Sequence, residues 1–145
     1  MLNKDLIKRK ISLIQDDLIH MADFKDATFE EVTTNYGKQA IIERLMERII
    51  NRAIDINQHL IAELGKEDSS GPKDYKNTFT LLVKFSIYPE EFGQEISKSI
   101  GTRNKLVHEY DNVNQQAIYN SIKDCLIDYQ QYCDFILKFI DKVSE

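Results

Sequence analysis

The chain has 145 residues, 42% hydrophobic and 30% charged, which is enough for one domain spanning residues 1–145 and too few for two. Its formal net charge of −5 excludes a protein that coats nucleic acid or acidic membrane non-specifically, while leaving room for a local basic cleft. Only 5 glycines and 2 prolines, without strand-like alternation between turns, point to an all-α fold.

The first residues, Met1-Leu2-Asn3-Lys4-Asp5, are charged at once and carry no apolar leader segment, and no apolar run approaches a membrane span. A cytoplasmic location without membrane contact is expected. Cys125 and Cys133 lie eight residues apart in a helical pattern, hence about 12 Å apart along one helix, too far to bridge. They read as reduced, half-buried small residues. Three scattered histidines and no paired-cysteine spacing call for no metal and no cofactor.

In chain order, Ile7, Ile11, Ile14, Leu18 and Met21 form the stripe of a first helix. A break follows at Asp23–Thr34, within which Thr28-Phe29-Glu30-Glu31 resembles a helix start. The second helix, from about Asn35 to Leu64, is the longest. Ile42, Leu45, Ile49, Ala53, Ile56 and Leu60 give its main stripe, and Ile41, Ile50, Ile54 and Ile61 widen it, so it is expected to touch neighbours on two sides. Gly65 ends it before the clearest loop, Lys66–Lys73. A third helix is predicted from Tyr75 to Ile87. Pro89 opens a fourth with the stripe Phe92, Ile96 and Ile100, and a fifth runs from about Ile118 past Ile140. The reading is a bundle of five helices.

Chemistry concentrates between the fourth and fifth helices, in Arg103-Asn104-Lys105-Leu106-Val107-His108-Glu109-Tyr110. On an unbroken helix, five residues turn the chain by about 500°, leaving Arg103 and His108 some 140° apart. Their convergence is expected to need a helix that ends, loosens or bends between them, followed by a turn and cap at Asp111–Asn114. That arrangement puts His108 and Tyr110 at the mouth of an interhelical cleft and Arg103 on its wall. A neutral imidazole there can take the proton of a ribose 2′-hydroxyl or protonate the leaving oxygen. A guanidinium can clamp the phosphate with two parallel bonds. Asn104 can orient the scissile group, and Tyr110 can hold phosphate, stack on a base or position His108. Equally, such residues near a helix end can simply cap carbonyls and pair with Glu109 or Asp111.

Other residues are less telling. His20 and His59 read as surface or hydrogen-bonded histidines. Asp55 on the long helix either faces solvent or pairs with Arg103. Glu43-Arg44 and Glu47-Arg48 look like surface pairing at i,i+4.

The eight-residue segment resembles the signature of the HEPN superfamily and, more closely, that of HepT-like toxins of type VII toxin–antitoxin pairs. In that pattern Arg-Asn is followed by Leu-Val, His, an acidic residue and Tyr, and every position is matched here. The layout agrees as well, with a long second helix and the motif just before the last one. The resemblance implies a metal-independent endoribonuclease acting on RNA. Arg103 and His108 would be its catalytic pair, with Asn104 in support and Lys105 and Asp55 as further supporting candidates. It also implies that Tyr110 is modified with AMP by a partner nucleotidyltransferase antitoxin of the MNT type, which would fill the phosphate site with negative charge. Homodimers with both motifs facing one cleft are implied too. Lys98, Arg103 and Lys105 are the basic residues close to the motif, opposed by Glu109 and Asp111, so RNA affinity should be local and salt-dependent. The alternative within the same resemblance is a non-catalytic module that binds a nucleotide or the nucleotidyltransferase.

Overall fold

The computed structural model describes residues 1–66, 71–108 and 115–143, with Val107 and His108 defined by their backbone alone. The described residues form helices α1 (Lys4–Ala22), α2 (Phe29–Thr33), α3 (Tyr36–Leu64), α4 (Tyr75–Leu81), α5 (Glu90–Ser97), α6 (Ser99–His108) and α7 (Gln115–Lys142), with a 3-10 turn at Leu82–Phe85 and no strand. The all-α reading holds. All five expected helices are present, one of them divided in two, and α2 is added.

Local chemistry accounts for most boundaries. The side chains of Asn3, Thr28, Asn35 and Asp74 each accept a backbone N–H at the start of α1, α2, α3 and α4. At α2 the Glu31 side chain reaches back to complete a capping box with Thr28, which is why so short a helix forms at all. Gly65 follows the last residue of α3, and its N–H closes on the carbonyl of Ile61. The loop after it was expected over 66–73, and residues 67–70 of it lie outside the described residues.

The third helix stops short of Ile87. Its last turn tightens at Leu82–Phe85, and Ser86 then adopts a left-handed backbone with φ 61° and ψ 29°, its N–H bonding the carbonyl of Val83. The residue before a proline disfavours helical backbone, so Tyr88 could not have continued the helix into Pro89 in any case.

The fourth helix also differs from expectation, dividing at Lys98. The hydroxyls of Ser97 and Ser99 bond the carbonyls of Gln94 and Ile96 at 2.8 and 2.7 Å, competing with the regular ladder. The N–H groups of Lys98 and Gly101 accordingly bond three residues back instead of four. The apolar stripe survives the break, since Ile96 and Ile100 are both buried.

α3 is the axis of the bundle, packing on α1, α2, α4, α6 and α7. It fulfils the expectation of two-sided contact, with Ile50, Ile54 and Ile61 buried, although Ile41 is half exposed. One apolar cluster runs through all the helices, with an aromatic group of Phe79, Tyr88, Phe92, Tyr129, Tyr132 and Phe135 where α4, α5 and α7 meet. Cys125 and Cys133 are free and fully buried instead of half-buried, and burial pushes both thiols up to about 12.

Two polar links hold the helices in register. The buried carboxylate of Asp17 on α1 accepts from Arg52 at 2.6 Å and faces Arg48 at 3.3 Å, both on α3. Arg48 therefore belongs to a bond between helices. Of the expected surface pairing, Arg44 meets Glu47 at i,i+3. Deeper in the core, Asn57 is fully buried. Its oxygen accepts from Tyr132 of α7 at 2.6 Å, its amide donates to Thr78 of α4 at 3.2 Å, and the Thr78 hydroxyl donates to the carbonyl of Tyr75 at 2.6 Å.

Asn57→Ala would remove one partner from each of the buried Tyr132 and Thr78 hydroxyls, leaving them the carbonyls of Ala53 and Tyr75, and open a small cavity. A loss of about 3 kcal/mol in urea unfolding is expected, measured at an unchanged m-value.

Candidate functional site

Arg103 occupies the second turn of α6 and is partly buried against two other helices. Its Nε donates to Oδ1 of Asn51 on α3 at 3.0 Å, and its Nη1 to Oδ1 of the neighbouring Asn104 at 3.3 Å. Its guanidinium carbon lies 5.0 Å from the centre of the Tyr75 ring, at the start of α4. One face is therefore stacked and one edge anchored. A guanidinium held this way has lost much of its rotamer freedom before any ligand arrives, and its outer edge still offers parallel donors to a phosphate.

Of the two readings of Asp55, the solvent-facing one holds and the pairing with Arg103 does not. Asp55 is exposed and pairs with Lys10 of α1 at 3.1 Å, and Asn51, one helical turn earlier on the same face, is the residue that meets Arg103. A neutral amide fixes the side chain without cancelling its charge, which a carboxylate would do. His59 accepts the backbone N–H of Asn3 at 3.0 Å and His20 is exposed on α1, in keeping with hydrogen-bonded and surface roles.

The bend expected between Arg103 and His108 is corrected as well, because α6 runs as α-helix through His108 and the chain breaks earlier, at Lys98. The His108 side chain, Tyr110 and the cap at Asp111–Asn114 lie outside the described residues. Asn104 is exposed and Lys105 partly buried on the same helix.

Two hollows flank α6. One, of about 480 Å³, lies between α6 and the start of α4 and is lined by Asp74, Tyr75, Lys76, Lys98, Gly101 and Asn104. The other, of about 180 Å³, lies behind α6 against α3 and α7 and holds Glu95, Asp124 and Asp128 with Ser99, Thr102 and Ser121. Three carboxylates make the rear cleft hostile to a phosphodiester. Asn104 lines the front groove, and Arg103 adjoins it through Tyr75.

Comparison with known proteins fits this arrangement. A sequence model described as ribonuclease HepT-like matches residues 7–136. The chain belongs to the ribonuclease HepT-like family. It is 32% identical over 142 residues to the tRNA nuclease HepT of Aphanizomenon flos-aquae, covering 97% of this chain and 93% of that one. It is 26% identical over 92 residues to the mRNA nuclease HepT of Shewanella oneidensis, covering 63% and 66% of the two chains. In fold it is similar to the tri-AMPylated Shewanella oneidensis HEPN toxin in complex with MNT antitoxin, with a TM-score of 0.79 and 21% identity over 95% of this chain and 99% of that one. For this HepT-like chain, the family and the fold thus agree.

Asn51 and Tyr75 escaped the sequence reading. Asn51 carried one faint signal, a polar residue on the α3 face that also carries Asp55. Tyr75 looked only like a helix start, since its relation to Arg103 depends on how α4 is set against α6.

The rear cleft has a pH signature. Burial, reinforced by Glu95 and Asp124 and partly offset by Lys98, pushes the Asp128 carboxyl up to about 6 from its ordinary 3.8. Between those values the folded state holds more protons than the unfolded one, so stability falls as pH rises through the window. Asp128→Asn should therefore raise Tm above wild type by a margin that grows from about pH 4 to pH 6 and then levels off, as read by calorimetry.

Proposed function

We propose that this HepT-like chain is a metal-independent endoribonuclease, the toxin of a toxin–antitoxin pair, silenced when a nucleotidyltransferase of the MNT type adds AMP to Tyr110. The observation that carries the reading is Arg103, stacked on Tyr75 and anchored by Asn51 in a helix whose sequence continues to His108 and Tyr110. Family membership and the tRNA nuclease relative support it.

In the proposed reaction Arg103 holds the scissile phosphate and offsets the charge that builds on its non-bridging oxygens. His108 removes the proton of the adjacent 2′-hydroxyl, whose oxygen attacks phosphorus. The bond to the 5′-oxygen breaks, and that oxygen takes a proton from an imidazolium. The products are a 2′,3′-cyclic phosphate and a 5′-hydroxyl. Proton removal and proton delivery on opposite sides of one phosphorus suit two imidazoles better than one. With one histidine in the motif of each chain, a second copy of the chain is the natural source of the other. Leu13 and Ile19 on α1 and Ile127 on α7 are exposed and available for such a contact. AMP on Tyr110 would set an anionic phosphate two residues from His108 and repel RNA.

The test is cleavage of labelled tRNA and mRNA by the purified chain in excess EDTA, with intact mass confirming that it carries no AMP. Cleavage is expected from wild type, none from His108→Ala, and a fall of at least about 100-fold in kcat from Arg103→Lys, which cannot reproduce the two-pronged clamp. Incubation with the nucleotidyltransferase and ATP should add AMP to wild type and not to Tyr110→Phe. Intact RNA with demonstrably unmodified protein at low salt would refute the ribonuclease and leave the binding-module alternative.

A further inference from the structure

Gly101 has no structural reason to be glycine. It lies in the first turn of α6, its φ is not positive, and a Cβ built on it would meet nothing within 4 Å. Gly93 makes the contrast, since a Cβ there would come within 2.8 Å of the Val83 side chain. A glycine in a helix forgoes the better propensity of alanine or leucine. What Gly101 does is keep open the groove of about 480 Å³ between α6 and α4.

The walls of that groove suit one ligand chemistry. Tyr75 is 42% exposed, so part of its ring stays available beside the Arg103 guanidinium. Lys76 is exposed and makes no ion pair among the described residues. Lys98 pairs with Glu95 at 3.0 Å, but both side chains are well exposed and such a bond yields readily to a phosphate. The one carboxylate in the lining, Asp74, caps the start of α4, where its Oδ1 accepts from the N–H of Asn77 at 2.7 Å. An aromatic face, two cations and an open floor beside Arg103 match a single-stranded nucleotide, which is held by stacking and backbone charge. The volume falls in the range of small-ligand sites and is too small for a duplex.

We propose that this groove is the subsite for the nucleotide flanking the scissile phosphate, its base against Tyr75 and its own phosphate between Lys76 and Lys98. The proposal rests on the ribonuclease reading and extends it to a strand path. It makes the substrate an unpaired RNA segment that lies along α6 from Arg103 toward Lys98.

The test is binding of a single-stranded RNA of about ten nucleotides, 2′-O-methylated so that it cannot be cut, by fluorescence anisotropy across a salt series. Gly101→Leu fills the groove and, being a better helix former, should not lower Tm. It is expected to weaken binding by at least about tenfold. Lys76→Gln should reduce the slope of log affinity against log salt by about 0.7. If both variants bind as wild type does while wild type cleaves ordinary RNA, the groove is not the subsite and the ribonuclease reading stands. If wild type neither binds nor cleaves, both fall. Loss of binding in Gly101→Leu with an unchanged Tm, together with the reduced slope in Lys76→Gln, upholds the subsite.

Discussion

The bundle depends on one buried amide. Asn57 has no exposed surface, and its two ends are bonded to different helices, the oxygen to Tyr132 of α7 and the nitrogen to Thr78 of α4. In a low-dielectric core such bonds are strong when made and costly when missing, so they select one rotation and one height for each helix where apolar contacts alone would tolerate several. The same links reach the surface. Thr78 bonds the carbonyl of Tyr75, whose ring underlies Arg103, and Asn51, which anchors Arg103, lies on α3 with Asn57. The position of the guanidinium is thus fixed from the interior outward.

A net charge of −5 and an affinity for RNA are compatible because charge is sorted by the faces of α6. The side toward α7 gathers Glu95, Asp124 and Asp128, and the side toward α4 carries Lys76 and Lys98 with a single carboxylate, Asp74, next to Arg103 on Tyr75. Lys98 lines both hollows. On the proposed reading, an RNA strand would meet a cationic strip on an anionic body, an arrangement that favours one approach and repels the others. Weak overall attraction would also leave little non-specific affinity to compete with recognition at the groove.

The sequence made the helices legible because their signals are local. The stripe from Ile42 to Leu60 and the caps at Thr28 and Asn35 need no knowledge of the rest of the chain. The division at Lys98 was hidden because apolar periodicity passes straight through it, and only the serine hydroxyls at 97 and 99 disturb the ladder. Arg103 stood out as a motif member, whereas its partners came from elements 52 and 28 residues earlier in the chain. Spacing within a segment does not encode such distances. The reading considered Asp55 as one possible partner of Arg103, because a carboxylate is the default partner of an arginine, and did not consider Asn51. The structure favours the amide, which leaves the positive charge intact for a ligand.

The two cysteines carry a practical consequence. Both thiols are buried on α7, and burial pushes them up to about 12, which disfavours the thiolate at neutral pH. Reactivity of the folded chain toward thiol-directed reagents is correspondingly low. A cysteine installed on the exposed surface of α6 would be the most accessible thiol of the native protein. Spectroscopic labels or cross-linkers could then report on the motif helix while the wild-type core remains untouched.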